Sequence, residues 1–249
     1  MKKHITSFVA VAGILTASAD ISNPGPTGTV VPEKKYPWES SVAARLTVTS
    51  GNSDTVLGDI VLGTVRKTPV NEFMFGAEAA YGKANSVKNI EAYHLFGQWN
   101  HLFNERLYSY VRGDFLRDTV ADLRYRVTLS AGAGYYFIKQ TNTTLSAEVG
   151  PGVVFRDLGG NHESYATLRI AENFEHKFSP GTRVWEMAEI LPQVDRFQNY
   201  IFNLEVGAEA ALSKSLSLQV VLSDSYNSEP ADGRKRNDVK LMSGVAYKF

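Results

Sequence analysis

Charged residues in this chain recur two or more even steps apart inside runs that are otherwise apolar or small. Glu72 and Glu78 share a parity, as do Arg112 and Asp114, Arg124 and Arg126, and Glu205 and Glu209. Glu148, Arg156, Arg169 and Lys240 hold the same kind of position in runs of their own. Side chains of an extended chain alternate between two faces, so each set lies opposite apolar neighbours. If such faces close on one another, the acids and bases can line a polar passage whose transverse field orients ions or small solutes. They can also pair across the interior and fill it, which leaves no path.

A second group could do covalent chemistry. His162 and Ser164, in Asn161-His162-Glu163-Ser164, are two residues apart and share a face of any strand that carries them. An imidazole placed there can activate a serine hydroxyl, with an Asn or Glu orienting the ring. The run resembles the Asn-His-Asp-Ser stretch of outer-membrane phospholipase A, which implies a lipid acyl hydrolase using Ser164 and His162. Tyr165 stands where that family would have an Asn-Gly run. The alternative is a polar loop. His94, His101 and His176 have no metal-ligand spacing with one another or with His162, so no metal or cofactor is expected. Gly132 and Gly134 form no phosphate loop, because no helix follows them. Arg234-Lys235-Arg236 is within reach of lipopolysaccharide phosphates if it lies in an outer loop.

The elements that position these groups read as strands throughout. From Trp38 to Thr49, Val42, Ala44, Leu46 and Val48 oppose Ser41, Arg45, Thr47 and Thr49. Thr55 to Lys67 sets Val56, Ile60 and Leu62 against Asp59. The clearest run has Leu123, Tyr125, Val127, Leu129, Ala131, Ala133, Tyr135 and Phe137 at strict alternation. Strand nine, near Arg183 to Leu191, has the weakest pattern. The last stretch, Asn237 to Phe249, ends on two aromatics of one parity, Tyr247 and Phe249. In all there are about twelve strands, an even number as single-chain transmembrane barrels require, each near the ~10 residues that cross an apolar band at a tilt. The expected fold is all-β, an up-and-down antiparallel transmembrane β-barrel. A barrel of about twelve strands lies between the eight that side chains can fill and the sixteen that leave an aqueous pore.

Loop lengths orient it. Turns at Thr68-Pro69, Asn104, Gln140 to Asn142, Ser179 to Gly181 and Ser213-Lys214 are short, whereas Gly82 to Lys88, Arg156 to Glu163 and Asn227 to Arg236 read as longer outer loops. The aromatics then fall in two belts, Trp38, Trp99, Phe137, Phe178, Tyr247 and Phe249 low, and Tyr81, Phe155, Tyr200 and Tyr226 high.

The start of the chain has the layout of a signal peptide, with Lys2-Lys3, an apolar run from Ile5 to Thr16 and Ala17-Ser18-Ala19 before Asp20. Residues 1–19 are expected to be removed, 20–36 to be a Pro-rich periplasmic linker, and 37–249 to be the barrel. Cleavage leaves 24 basic and 26 acidic residues, a net charge of −2, which gives no electrostatic case for nucleic acid. The chain has no cysteine and so no disulfide or thiolate chemistry. The expected partners are outer-membrane lipid, lipopolysaccharide and the barrel-assembly machinery, which would read the strand ending in Phe249. The expected location is a Gram-negative outer membrane with the N-terminus in the periplasm.

Thr49-Ser50-Gly51-Asn52-Ser53-Asp54, Gly132-Ala133-Gly134-Tyr135-Tyr136 and the ending Tyr226-Asn227-Ser228, Pro230, Asp238, Tyr247-Lys248-Phe249 together resemble the salt-induced outer membrane protein family, catalogued as a domain of unknown function. The resemblance runs from Trp38 to Phe249, with Asn52-Ser53 in place of Asn-Thr. It implies an envelope protein linked to osmotic stress and supplies no catalytic residues. The function expected from the residues is a narrow passive channel for ions or small solutes. The alternatives are the acyl hydrolase or a plugged structural barrel.

Overall fold

A computed structural model describes residues 36–49, 55–84, 87–179 and 181–249. The expected signal peptide and most of the linker lie outside the described residues. Twelve strands follow one another: β1 (Glu39–Thr49), β2 (Thr55–Lys67), β3 (Asn71–Ala84), β4 (Val87–Leu102), β5 (Leu107–Asp118) and β6 (Leu123–Lys139). The second half comprises β7 (Thr143–Leu158), β8 (Asn161–Ser179), β9 (Thr182–Gln193), β10 (Arg196–Ala211), β11 (Leu216–Asn227) and β12 (Asn237–Lys248). Each pairs antiparallel with its sequence neighbours, and β1 pairs with β12, so the sheet is a closed barrel. At the seam Ser41 faces Lys248 and Leu46 faces Ser243, and the backbones of Ser40 and Phe249 exchange two hydrogen bonds of 3.1 and 3.0 Å. Closure removes the free edges that lipid cannot hydrogen-bond.

Burial is inverted relative to a water-soluble sheet. On β3, Phe75 and Tyr81 are each 48% exposed, while Glu72 and Glu78 are 4% and 3% exposed. The period of two puts the acids inside and the aromatics outside, as a barrel in lipid requires. Trp38, Trp99, Phe137, Phe178, Tyr247 and Phe249 are exposed near the end that holds both described termini, and Tyr81 and Phe155 near the opposite end. Those two ends are called the near and far ends below.

Near-end connections are short, as expected. Asn104 Oδ1, for example, accepts the backbone N–H groups of Arg106 and Leu107 at 2.8 Å each, closing an Asx turn. The far end departs from expectation. The segments read as loops at 82–88 and 156–163 are largely strand, because β3 continues to Ala84 and β7 to Leu158. Gly159 and Gly160, at φ 58° and 82°, close the β7–β8 hairpin in two residues. Two successive left-handed residues match the strand twist, and glycine reaches that region without a Cβ clash. Only 228–236, between β11 and β12, is a longer far-end connection among the described residues. Strands of up to 19 residues exceed the ~10 that cross the apolar band, so the surplus extends beyond it.

Two acids interrupt the outer wall. Glu172 faces Ala147 and Ala188 across β7 and β9, and Glu186 faces Phe174 and Val206. Both share the parity of the exposed Ile170 rather than of the buried Ala171 and Glu175. A carboxylate on the lipid face costs free energy. Glu172→Leu is therefore expected to stabilise the barrel by on the order of 1 kcal/mol in bilayers, read by urea unfolding. A loss of stability would show that the side chain turns inward.

Candidate functional site

The interior is largely polar, with one apolar cluster, around Leu57, Ile90, Leu116, Leu123 and Met242. Around the seam charged and aromatic side chains pair with one another and bound a small cavity. Arg45 donates from Nε to Asp59 at 2.8 Å, with a second close contact from Nη2, and lies 3.8 Å from Glu78. Lys240, 3% exposed, is buried on β12 in the same wall. Glu205, 2% exposed, accepts from Trp185 Nε1 at 2.6 Å. Toward the near end Arg183 bridges Glu175 (2.6 Å) and Glu209 (2.9 Å), and Lys248 also contacts Glu209.

Three further cavities share wall residues from the far end of the barrel toward the near one. The central one is bounded by Arg112, Asp114, Arg126, Arg169, Glu189 and Glu205 among others. It shares Leu116, Arg126 and Ser225 with a far-end vestibule. It shares Arg112, Arg169, Asn173 and Met187 with a near-end cavity.

The junction of the central and near-end cavities is built from two arginines held by acids. Arg112 makes a bidentate pair with Asp114, 2.8 Å from Nε and 2.7 Å from Nη2, and donates to Gln98 Oε1 at 3.2 Å. Asp114 also takes His94 Nε2 at 3.2 Å. Arg169 donates to Glu148 and Glu189 at 2.6 Å each, with its guanidinium 5.0 Å from the centre of the Tyr110 ring. Glu148 further accepts from Gln98 (2.7 Å) and Tyr108 (3.0 Å). Below it Glu72 accepts from Asn100 (3.2 Å) and Tyr136 (2.8 Å). Paired charges of this kind hold the wall rigid, because removing one partner strands the other in a site of low polarity.

Three inward aromatic rings pack against glycines of the neighbouring strand, and two of them, Phe96 and Tyr108, bound the near-end cavity. Phe96, Tyr108 and Trp185 face Gly76, Gly134 and Gly207 on the neighbouring strand. A Cβ on those glycines would come within 2.0, 2.2 and 2.0 Å of the respective ring. Any larger residue there forces the ring off the wall and into the cavity.

Of the sequence-derived charges, Glu72, Glu78, Arg112, Glu148, Arg169, Glu205, Glu209 and Lys240 are buried inside the barrel, and Asp114 and Arg126 bound its central cavity. Arg124 departs from the alternation. The register shifts between Leu123 and Tyr125, and its side chain is 70% exposed at the far rim, 3.5 Å from Asp157. Sequence reasoning passed over Arg45, Asp59, Arg183 and Glu189 as site residues. Parity marks each as inward, but their partners lie on neighbouring strands.

His162 and Ser164 are exposed at the far end of β8, and no hydrogen bond joins them among the described residues. The imidazole Nδ1 lies 3.4 Å from the Tyr125 hydroxyl and 3.7 Å from Asp157. The geometry does not assemble a serine and its base. His101 and His176 are engaged by Asn71 (3.1 Å) and Thr143 (2.8 Å) near the opposite end.

Residues 42–249 match a family profile described as "Protein of unknown function, DUF481". The chain belongs to that family. The description names no activity, so the site must speak for itself. No curated protein matches the chain in sequence. Among solved structures it is similar to the NanC porin, at 6% identity and a TM-score of 0.53 over 85% of this chain and 100% of that one. It is similar to an outer membrane channel from Pseudomonas putida F1, at 10% identity and TM-score 0.51 over 89% and 100%. It is also similar to the KdgM porin, at 10% identity and TM-score 0.50 over 84% and 99%. At these identities the likeness is one of fold: this DUF481 chain has the architecture of outer-membrane porins and channels.

Proposed function

We propose that the chain is a narrow passive channel for ions or small solutes across a Gram-negative outer membrane, with its near end in the periplasm. The observation that carries this reading is the series of three cavities sharing wall residues from the far vestibule to the near end. In this reading the buried acids and bases line the path, and the paired charges orient a passing ion without holding it. Arg234, Lys235 and Arg236 would meet lipopolysaccharide phosphates or entering solute. The strand ending in Phe249 would present itself to the assembly machinery. The family resemblance would place such a channel in the response of the envelope to salt.

Asn173 and Met187 face each other across β8 and β9 and bound both the central and the near-end cavity. Asn173→Trp adds a ring at the junction without removing a charge. Planar-bilayer recordings of the parent barrel are expected to show reproducible single-channel steps, and the variant steps reduced at least about fivefold, since the added ring fills a passage only a few side chains wide. A folded parent that never conducts would sink the channel reading in favour of a plugged barrel.

A further inference from the structure

Arg126 and Arg156 stand directly opposite each other on β6 and β7, both on the inward face. Like charges at opposed positions of neighbouring strands repel, and strands normally avoid them. Only one of the two is compensated within the protein. Arg156, 2% exposed, donates to Glu163 at 2.7 Å and packs over the Tyr165 ring at 5.2 Å. Its Nη1 is buried without a partner. Arg126 makes no hydrogen bond and no ion pair among the described residues. Its side chain bounds both the far vestibule and the central cavity.

The surroundings carry the same sign. Arg234, Lys235 and Arg236 of the β11–β12 connection bound the vestibule with Arg126 and Arg156, against Asp118 and Asp238 alone among acids. The lining of the far mouth thus carries five cations and two carboxylates, with Glu163 on Arg156 as a third acid, whereas Arg112 and Arg169 at the lower junction are each held by an acid. A guanidinium presents paired N–H donors that fit the two oxygens of a carboxylate or phosphate. Clefts lined by one sign concentrate the opposite ion.

We propose that Arg126 and Arg156 form a binding site for the oxyanion of a soluble solute, a carboxylate or a phosphate, at the mouth of the central cavity. The Arg126 guanidinium holds the anion and Arg156 Nη1 donates from the side. The bound anion relieves the repulsion between the two cations. The site lies inside the barrel and so faces solute rather than lipid. As a selectivity element it rests on the channel reading, but binding itself does not require conduction.

The test is calorimetric titration of the detergent-solubilised barrel with inorganic phosphate and with sodium glucuronate. Parent protein is expected to bind both. Arg126→Gln is expected to weaken binding at least about tenfold, and Arg126→Lys less, because it keeps the charge and loses the fork. Arg126→Gln should also melt no lower than the parent in the absence of anion, since it removes a repulsion. Absence of binding by the parent, or undiminished binding by Arg126→Gln, overturns the site. Displacement of phosphate by lipopolysaccharide added to the micelles would assign the site to a lipid head group and overturn the soluble ligand. Anion binding in a barrel that does not conduct supports the site and overturns the channel reading alone.

Discussion

Arg169→Met is expected to cost the barrel about 3–5 kcal/mol. Arg169 is 4% exposed and is the shared donor to Glu148 and Glu189, at 2.6 Å each. Those acids sit on the strands either side of it, at sequence separations of 21 and 20 residues. Methionine fills the volume but strands two carboxylates facing a confined cavity. Glu148 keeps Gln98 and Tyr108 as donors, whereas Glu189 keeps only Asn203, at 3.3 Å. The second acid is thus the more exposed to the loss, so Glu189→Gln in the Arg169→Met background should recover part of the stability. The two changes share a partner and are not additive. Urea unfolding from lipid vesicles measures both. A single variant within about 1 kcal/mol of the parent would show that water already screens the trio.

Truncation after Gly244 is expected to abolish the folded barrel. It removes four β1–β12 partners, Val245 to Lys248, and with them the Tyr247–Leu216, Ala246–Ser217 and Val245–Leu218 partners on β11. It also removes the two backbone hydrogen bonds between Ser40 and Phe249. Every released N–H and C=O would face lipid, at several kcal/mol each. Ala246, 1% exposed, would leave its cluster with Ala43 and Val61. Heat-modifiable migration on gels is the readout. Phe249→Ala separates closure from the aromatic ring itself. The Ser40 pairing uses backbone atoms only, and the ring stacks on Tyr247 with centroids 6.1 Å apart. That variant should still migrate as a folded barrel, with a loss on the order of 1 kcal/mol. If it fails to fold as completely as the truncation, the terminal aromatic acts in assembly rather than in closure.

Strand number, strand faces and the closed-barrel class were legible in the sequence, because each follows from a local rule. Alternation with period two needs only neighbouring residues, so Glu72 and Glu78 could be set inside and Phe75 and Tyr81 outside without any knowledge of a partner strand. Even the weak ninth strand, around Trp185 and Met187, formed where the pattern put it. What the tertiary structure alone decided was which residues meet. Arg169 finds Glu148 and Glu189, and Arg126 comes opposite Arg156, because of register, and register depends on turns and bulges many residues away. The far-end segments around 82–88 and 156–163 read as loops because they are polar or glycine-rich, yet they continue the ladder past the membrane, where a strand has no need of an apolar face. Arg124 followed the parity in sequence and left it in space, since one shifted residue in β6 rotates the side chain to the other face. The open cavity itself had no sequence signature. It depends on where side chains from several strands meet, as where Phe96 and Tyr108 on its near-end wall each face a glycine across a strand pair.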